Sequence, residues 1–292
     1  MSFEFKPAVR TKLKARMAID GPTGSGKTFT GLTAATAFAP TGKIAVIDTE
    51  RGSASLYSDI FKFDVLELDY YDPLTYVEAI KSAEGYGYEV ILIDSLSHAW
   101  EGEGGALDQV DQNAAKLRGN SYAAWRTVTP KHRKLVDTML RSSAHVIATM
   151  RSKMEYVQEK DNDGKTQIRK IGLAPVQRSG MEYEFTWVID IDTDHTAVVS
   201  KSRAADLADK VQNKPDVEWF KQFYDWLVKG VEPPRTKQEL IDFATSIGLG
   251  MEDIPNALQA AGLEWNPDPG MWADLTNAVT VYSENGAKAV AE

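Results

Sequence analysis

The feature that most constrains the fold is an apolar stretch that runs directly into a glycine-rich turn. Residues 16–20 are predicted to form a buried β strand, and residues 29–38 have the composition of a helix. The turn between them matches the pattern G-x-x-x-x-G-K-[ST] at every fixed position. Its residues are Gly21, Pro22, Thr23, Gly24, Ser25, Gly26, Lys27 and Thr28. A strand, this turn and a helix in that order predict a phosphate-binding loop.

The fixed positions of this loop each have a chemical reason. Glycines allow backbone dihedral angles that bring successive N–H groups around a phosphate. We expect Lys27 to reach the β- and γ-phosphates and Thr28 to offer its hydroxyl to Mg²⁺. The helix that follows directs the positive end of its dipole at the same anion. The predicted ligands are therefore ATP and Mg²⁺.

Two further apolar runs end in acidic residues. Residues 89–95 contain four consecutive aliphatic side chains before Asp94, which is the form of a Walker B strand whose acid holds the Mg²⁺ shell. Residues 43–50 form another apolar run, which ends in Asp48 and Glu50. Strands that alternate with helical segments predict an α/β fold with a doubly wound, mostly parallel sheet.

The length of 292 residues predicts one large domain and a small one. We expect an amino-terminal arm over 1–14, an ATPase core over 15–231 and a small acidic helical domain over 235–292, with Glu232-Pro233-Pro234 as the linker. The chain has no cysteine, which excludes disulfides, a thiol nucleophile and a cysteine-based zinc site. Since no apolar run has the length of a signal peptide or a membrane span, we expect a cytoplasmic protein that does not bind membranes.

The second half of the core is predicted from shorter patterns. A buried strand is expected over 145–149, a hairpin over 153–157 and 165–171, a second strand pair over 186–191 and 196–200, and a helix over 217–228. The helical stretch 106–140 is expected to break near Gly119 and again at Pro130. Asp190-x-Asp192-x-Asp194 does not fit a calcium loop, because His195 replaces the required glycine and Lys201 the bidentate glutamate.

The distribution of charge leaves room for a nucleic acid, although the net charge is −9. Residues 112–136 carry six basic side chains and no acid, and they include Tyr122 and Trp125. Cations with interleaved aromatics favour single-stranded DNA through phosphate neutralisation and base stacking. The predicted DNA-binding residues are Arg118, Tyr122, Trp125, Arg126, Lys153, Lys165, Arg169 and Lys170. The alternative is a solvated helix face with Trp125 in the core.

Over residues 3–205 the chain resembles the RecA/Rad group of recombinase ATPases. It is most similar to the short phage-encoded versions, known as phage nucleotide-binding or Sak-type single-strand annealing proteins. The resemblance is carried by the phosphate loop 21–28, by Glu50, by Ile93-Asp94-Ser95 and by Lys201-Ser202-Arg203. It implies a RecA-like core and ATP hydrolysis.

The resemblance also implies roles for individual residues. Glu50 would activate the attacking water, and Tyr57 would pack on adenine unless it is an ordinary core or surface tyrosine. Lys201 and Arg203 would reach the γ-phosphate of the adjacent subunit, unless they simply flank a turn. The Phe5-Lys6-Pro7-Ala8 segment matches an F-x-x-A tetrapeptide, whose phenylalanine inserts into the neighbouring protomer of a ring or filament.

One departure from the resemblance concerns the residue that senses the γ-phosphate. Relatives carry glutamine at the end of the strand after Walker B, whereas this chain has Thr149-Met150-Arg151. Arg151 and Gln177 are the candidates to replace that glutamine.

Three functions follow as hypotheses. The first is a DNA-stimulated ATPase that assembles on single-stranded DNA in phage recombination or annealing, with its small domain contacting a single-strand-binding or replication protein. The second is a RecA-fold motor or switch that acts on a protein client in helicase loading or packaging. The third is a nucleotide-gated scaffold in which Glu50 is idle.

Overall fold

The computed structural model describes residues 13–160, 166–229, 237–265, 275–276 and 278–283, with the backbone alone over 154–160 and 166–173. The chain divides into two compact units. One spans Lys14–Trp226, and the other contains Leu13 and the described residues from Leu227 onward. No helix within these ranges combines the length and the apolar character that a membrane span requires.

The strands of the described chain are β1 Arg16–Gly21, β2 Ile44–Asp48, β3 Asp64–Glu67, β4 Val90–Asp94, β5 His145–Lys160, β6 Thr166–Pro175, β7 Trp187–Ile191, β8 Thr196–Ser202 and β9 Val211–Asn213. Its α helices are α1 Lys27–Phe38, α2 Pro73–Gly85, α3 His98–Glu101, α4 Ala106–Lys116, α5 Ser121–Arg141, α6 Val217–Val228, α7 Lys237–Ser246 and α8 Asp253–Ala260. Short 3-10 helices lie at Ala54–Tyr57, Met181–Glu184 and Ala205–Leu207.

The strands form a sheet in the order β3-β2-β4-β5-β1-β7-β8-β9. The first six strands in this order are parallel, while β8 and β9 are antiparallel additions at one edge. The predicted α/β class with a mostly parallel sheet is confirmed, and it is consistent with a RecA-like core. Because parallel strands end at the same edge, the sheet brings Gly21, Asp48 and Asp94 to one side of the molecule.

The central strands are mostly apolar on both faces, and their acidic residues lie at or next to their carboxyl ends. Every residue of β1, β2 and β4 is buried, as a strand covered by helices requires. Helix α1 packs closely on this sheet at Gly31, where an added Cβ would lie 2.9 Å from the Leu92 Cδ1 atom. This close contact sets the position of α1 on the sheet, and with it the position of the phosphate loop that precedes α1.

The helical stretch after the Gly102–Gly105 loop differs in part from its prediction. The break between α4 and α5 lies near Gly119, as predicted. The predicted break at Pro130 is wrong, because α5 is continuous from Ser121 to Arg141. Its buried residues recur at helical spacing and are Ala124, Val128, His132, Leu135 and Met139. Burial of this face outweighs the one backbone hydrogen bond that proline cannot donate.

Strand β5 also corrects the prediction, which had a short strand and a separate hairpin. One strand of 16 residues covers both segments. Its first part pairs with β1 up to Arg151, opposite Gly21, and its remainder pairs with β6 from Ser152 onward. The extended backbone therefore continues from the sheet into the hairpin without a turn. Arg151 stands at the point where the two parts meet.

Other elements agree with their predictions, including α6, β7 and the start of β8. The short strand β9 was not predicted, since its three exposed residues carry no apolar signal. In the carboxy-terminal unit, α7 and α8 bury apolar residues together with three apolar residues further along the chain. These buried residues are Leu240, Ala244, Ile254, Ala257, Leu258, Leu275, Ala278 and Val279. The Phe5 segment and the predicted linker lie outside the described residues.

Candidate active site

The turn after β1 has the conformation of an anion-binding loop. Gly24 and Gly26 have φ angles of 80° and 89°, which favour glycine, and α1 begins immediately afterwards at Lys27. An added Cβ at Gly21 would lie 2.5 Å from the Ile191 carbonyl oxygen. The loop is therefore built as the sequence predicts, with backbone N–H groups at the start of a helix.

Lys27 lies within this loop and is held by it. Its Nζ donates a hydrogen bond of 2.8 Å to the Pro22 carbonyl oxygen. Burial lowers the pKa of Lys27, and the nearby carboxylates of Asp94 and Glu50 oppose that shift. The ammonium is thus partly withdrawn from water, where its attraction for phosphate is stronger than in bulk solvent.

Asp94, at the end of β4, lies beside the phosphate loop as predicted. The Thr28 hydroxyl donates a 2.6 Å hydrogen bond to its Oδ2, and the Thr149 hydroxyl donates to its Oδ1. Burial raises the pKa of Asp94, and these two hydrogen bonds counteract the rise. A hydroxyl next to a carboxylate is a hard-oxygen donor set, which suits Mg²⁺. The residues predicted to hold the metal are therefore adjacent.

Glu50 follows β2 and forms a two-point ion pair with Arg151. Arg151 Nη2 lies 2.6 Å from Glu50 Oε2, and Arg151 Nε donates a 3.0 Å hydrogen bond to Oε1. The turn beneath Glu50 is fixed by Asp48, whose carboxylate accepts hydrogen bonds from the backbone N–H groups of Glu50 and Ala54. In this conformation the predicted general base is engaged by a cation from β5.

The electrostatics favour an ionised Glu50. Burial raises its pKa, but the hydrogen bonds and charge of Arg151, with smaller contributions from His98 and Ser95, hold it below the ordinary value. His98 itself is held by a 2.7 Å contact between its Nδ1 and the Thr49 hydroxyl, and it stacks on Tyr71. An ionised carboxylate is the form that a general base requires.

An aromatic group forms another wall of the site. Tyr57 is half-buried and makes an edge contact with Phe29, with ring centroids 5.7 Å apart. Phe29 also makes an edge contact with Phe61, with ring centroids 5.1 Å apart. Phe29 and Tyr57 line a cavity of about 580 Å³ at the loop. The lining residues are Thr23, Gly24, Gly26, Lys27, Thr28, Phe29, Thr30, Glu50, Ser53, Tyr57, Asp94, Arg151, His195, Lys214 and Pro215.

The predicted DNA-binding residues are not gathered in this cavity. Arg118, Tyr122 and Arg126 are exposed around the junction of α4 and α5, and Tyr122 is 83% exposed. Trp125 is half-buried and stacks on Trp100, with centroids 5.6 Å apart. At least one face of the Trp125 ring is therefore packed against the protein, as the alternative interpretation of this residue expected.

The other predicted DNA residues lie on or near the hairpin. Lys153 is exposed just beyond Arg151. Lys165 lies outside the described residues, as do the side chains of Arg169 and Lys170. Within residues 112–136, Lys131 forms a 2.8 Å ion pair with Asp72, so its charge is neutralised within the chain.

Lys201 and Arg203 follow the buried part of β8. Lys201 Nζ donates to three carbonyl oxygens, those of Glu182, Tyr183 and Phe185, at 2.6–2.9 Å. A role for Lys201 at a neighbouring subunit would require these bonds to break. Arg203 is exposed. The shared-site role of both residues stays a prediction.

Of the two candidate replacements for the glutamine sensor, only Arg151 lines the cavity. Gln177 is buried behind it, where its Nε2 donates to the Leu96 carbonyl oxygen and its Oε1 contacts His132. The position of Arg151 is compatible with the sensor role, which stays a prediction.

A family model for the AAA domain matches residues 13–214, which is more than half of the chain. The chain belongs to the AAA domain family. This AAA domain is also similar to a solved structure described as a prototypical ATPase from the type III secretion system of pathogenic bacteria. That similarity has a TM-score of 0.37 and 13% sequence identity, and it covers 95% of this chain and 83% of the other. A search of curated proteins found no match.

Sequence reasoning did not predict every residue of this AAA domain site. Thr149 was named only as part of a departure from a pattern, yet its hydroxyl donates a hydrogen bond to Asp94. The pairing of β5 with β4 brings these two residues together, so the order of the strands would have been needed to predict the contact. His98, His195 and Lys214 were not predicted as site residues. His98 begins α3 and lies near Glu50, whereas His195 and Lys214 lie outside the strands and line the cavity at the phosphate loop. These residues are distant in sequence from the loop, and no local pattern indicates that they meet there.

Proposed function

We propose that this protein binds and hydrolyses ATP and that it assembles on single-stranded DNA in recombination or annealing, as the phage-encoded proteins that it resembles are expected to do. The observation that carries the proposal is the ion pair between Glu50 and Arg151. It joins the predicted general base to the strand that continues into the basic hairpin. The phosphate loop, Lys27 and Asp94 of the AAA domain supply the remaining parts of the ATPase.

Phosphate binding would use the loop as it stands. The backbone N–H groups at the start of α1 favour an anion, and Lys27 can exchange its bond to Pro22 for a bond to a phosphate oxygen. The aromatic wall formed by Phe29 and Tyr57 offers an apolar surface to a nucleotide base. Mg²⁺ would be held by Thr28 and Asp94, where it neutralises phosphate charge during phosphoryl transfer.

Hydrolysis requires Glu50 to accept a proton from the attacking water. A carboxylate that already accepts two hydrogen bonds from Arg151 is a weaker base, so the contact restrains Glu50. Arg151 also lines the cavity, and a γ-phosphate would compete with Glu50 for the guanidinium. We infer that transfer of Arg151 from Glu50 to phosphate frees the base when ATP is present.

DNA binding is supported by exposed cations and aromatics around α4 and α5, and by the position of Arg151. Arg118, Tyr122 and Arg126 are available to phosphates and bases. A strand of DNA on the hairpin would act on β5 two residues from Arg151, at Lys153. This proximity supplies a short physical connection between DNA and Glu50.

Assembly would place residues of one copy at the site of another. Insertion of Phe5 into a neighbouring protomer and contribution of Arg203 or Lys201 to a shared site both require contacts between copies. Mixing Glu50→Gln with Arg203→Ala protein tests the shared site, because some interfaces would then pair an intact Glu50 with an intact Arg203. Recovery of ATP turnover in the mixture supports sharing, whereas two inactive variants that co-assemble without recovery contradict it.

A titration with labelled single-stranded oligonucleotide at low salt, in ATP and Mg²⁺, tests the DNA part of the proposal. We expect saturable binding that weakens with added salt. The same titration of the Arg118→Ala/Arg126→Ala variant should show weaker binding of the oligonucleotide. Absence of binding by the wild-type protein would contradict the DNA role.

A second candidate function is an ATPase that acts on a protein client. The observation that favours it is an apolar groove of about 680 Å³ in the acidic carboxy-terminal unit, with Leu240, Ile254 and Trp265 among its lining residues. ATP turnover that does not respond to nucleic acid, together with a co-purifying protein, would favour this alternative. A purely non-enzymatic scaffold is excluded if ATP turnover is measurable and Glu50→Gln abolishes it.

A further inference from the structure

The acidic turn between β7 and β8 has a structural role that its failed calcium pattern did not indicate. The Asp192 carboxylate accepts hydrogen bonds from the backbone N–H groups of Asp194 and Thr196, at 2.9 and 2.8 Å. The turn is therefore closed by its own aspartate, as Asx turns are. It ends at His195, whose φ of 61° is unusual for a residue other than glycine.

This turn places His195 against the phosphate loop. The Ser25 carbonyl oxygen can only accept, so His195 Nδ1 carries the hydrogen and donates to it at 3.0 Å. The ring also covers Gly26, where an added Cβ would lie 3.2 Å from Nδ1. His195 thus contacts the two residues that precede Lys27, on a loop whose conformation decides where the phosphate N–H groups point.

The end of β9 is attached to the same turn. Lys214 donates its backbone N–H to the His195 carbonyl oxygen at 2.8 Å, and the Asn213 side chain donates to the Asp194 carbonyl oxygen at 2.8 Å. Lys214 has a φ of 47°, so His195 and Lys214 both have backbone angles in the left-handed region. Such conformations persist where surrounding contacts impose them, and they concentrate at functional sites.

The turn and the segment after β9 both contribute residues to the nucleotide cavity. His195, Lys214 and Pro215 line it together with the phosphate loop and Tyr57. Pro215 is buried, whereas the Lys214 side chain is exposed at the cavity. A cation beside a cavity that already contains Lys27 adds to its attraction for a polyphosphate.

We propose that the turn 192–195 and residues 213–215 form a second part of the nucleotide site, in which His195 positions the phosphate loop and the Lys214 ammonium binds the phosphates of a nucleoside triphosphate. This inference rests on the proposed ATP binding, and it assigns the role of two residues that the nucleotide-binding motif does not include. His195 acts through Ser25 and Gly26 and is a positioning residue.

The experiment measures the Kd of a fluorescent ATP analogue and the kcat and KM of ATP turnover for His195→Ala, His195→Asn, Lys214→Ala and Lys210→Ala. Lys210 is the matched control, because it lies on the same segment but contacts Gln222 and does not line the cavity. Asparagine tolerates the left-handed backbone and keeps an N–H that can replace the His195 Nδ1 donor.

For His195→Ala we expect the Kd to rise about tenfold, the effect of one lost hydrogen bond that holds the loop. His195→Asn should restore most of the affinity, and KM should change more than kcat. Both variants should still unfold in one cooperative thermal transition without nucleotide, which shows that each is folded. If His195→Ala binds as the wild type does, or if Asn fails to restore binding in a folded protein, the positioning role is wrong.

For Lys214→Ala we expect roughly a threefold rise in the Kd for ATP, a smaller rise for AMP, and a weaker dependence of ATP binding on salt. Lys210→Ala should match the wild type in each measurement. Equal behaviour of Lys214→Ala and Lys210→Ala would overturn the phosphate contact. Nucleotide binding without hydrolysis in the wild type would contradict the proposed ATPase, while the Kd values of the variants would still test both residue roles.

Discussion

The nucleotide end of the sheet and the surface around α4 and α5 differ in how their residues are held. At the sheet, Thr28 and Thr149 bond the buried Asp94, and Arg151 bonds Glu50. Around α4 and α5, Arg118, Tyr122 and Arg126 are exposed side chains on a helical frame. In the first region, hydrogen bonds to neighbouring side chains fix the position of each functional group. In the second region the side chains are exposed, and a flexible polyanion such as single-stranded DNA could contact them in several arrangements. This difference sets the size of the effects expected from substitutions.

The largest effect is expected at Lys27. Lys27→Ala removes the side-chain cation of the phosphate loop and should reduce ATP turnover about 10³-fold, with a parallel loss of nucleotide binding. Steady-state turnover and binding of a fluorescent ATP analogue measure the two losses. Lys43→Ala, which changes an exposed lysine just before β2, is the control and should leave both unchanged. Retained turnover in Lys27→Ala would place the reaction elsewhere.

Glu50→Gln should separate chemistry from binding. The amide cannot accept the proton of the attacking water, so ATP turnover should fall about 10²-fold while ATP affinity stays close to that of the wild type. Glu67→Gln, at the end of the neighbouring strand β3, is the matched control. A Glu50→Gln protein with full turnover would show that another group acts as the base.

The two regions also differ in how far the sequence predicts them. The phosphate loop, Asp94 and the parallel sheet follow from local pattern, because a glycine-rich turn after an apolar strand has few alternative conformations. The contact between Arg151 and Glu50 could not be predicted in this way. It depends on the order of strands in the sheet and on a β5 strand longer than its apolar segment. The predicted break at Pro130 failed because burial along α5 is visible only after packing.

A smaller effect is expected on the exposed surface. Arg118→Ala/Arg126→Ala should weaken single-stranded DNA binding roughly tenfold at low salt, and it should lower the salt dependence by roughly 0.7 for each removed phosphate contact. Lys62→Ala, which removes another exposed lysine outside this surface, is the control. If both variants bind DNA as the wild type does, Arg118 and Arg126 do not contact DNA.

The smallest effect concerns the pH dependence of stability. The pKa of Glu50 lies below its ordinary value in the folded state, so its contribution to stability is present above the ordinary carboxyl pKa and is lost as the pH falls through the lowered value. Arg151→Met should therefore be less stable than the wild type at pH 7, and the difference should shrink as the pH is lowered below the ordinary carboxyl range. Thermal unfolding at a series of pH values measures it. A difference that does not depend on pH would assign the loss to packing.

The most direct test of the account is the rate of ATP hydrolysis by the wild-type protein with and without single-stranded DNA, measured beside Glu50→Gln. The account predicts Mg²⁺-dependent turnover that increases when DNA is added and is nearly abolished by Glu50→Gln under both conditions. Turnover that is insensitive to DNA, or that survives in Glu50→Gln, would contradict the proposed connection between the hairpin, Arg151 and Glu50.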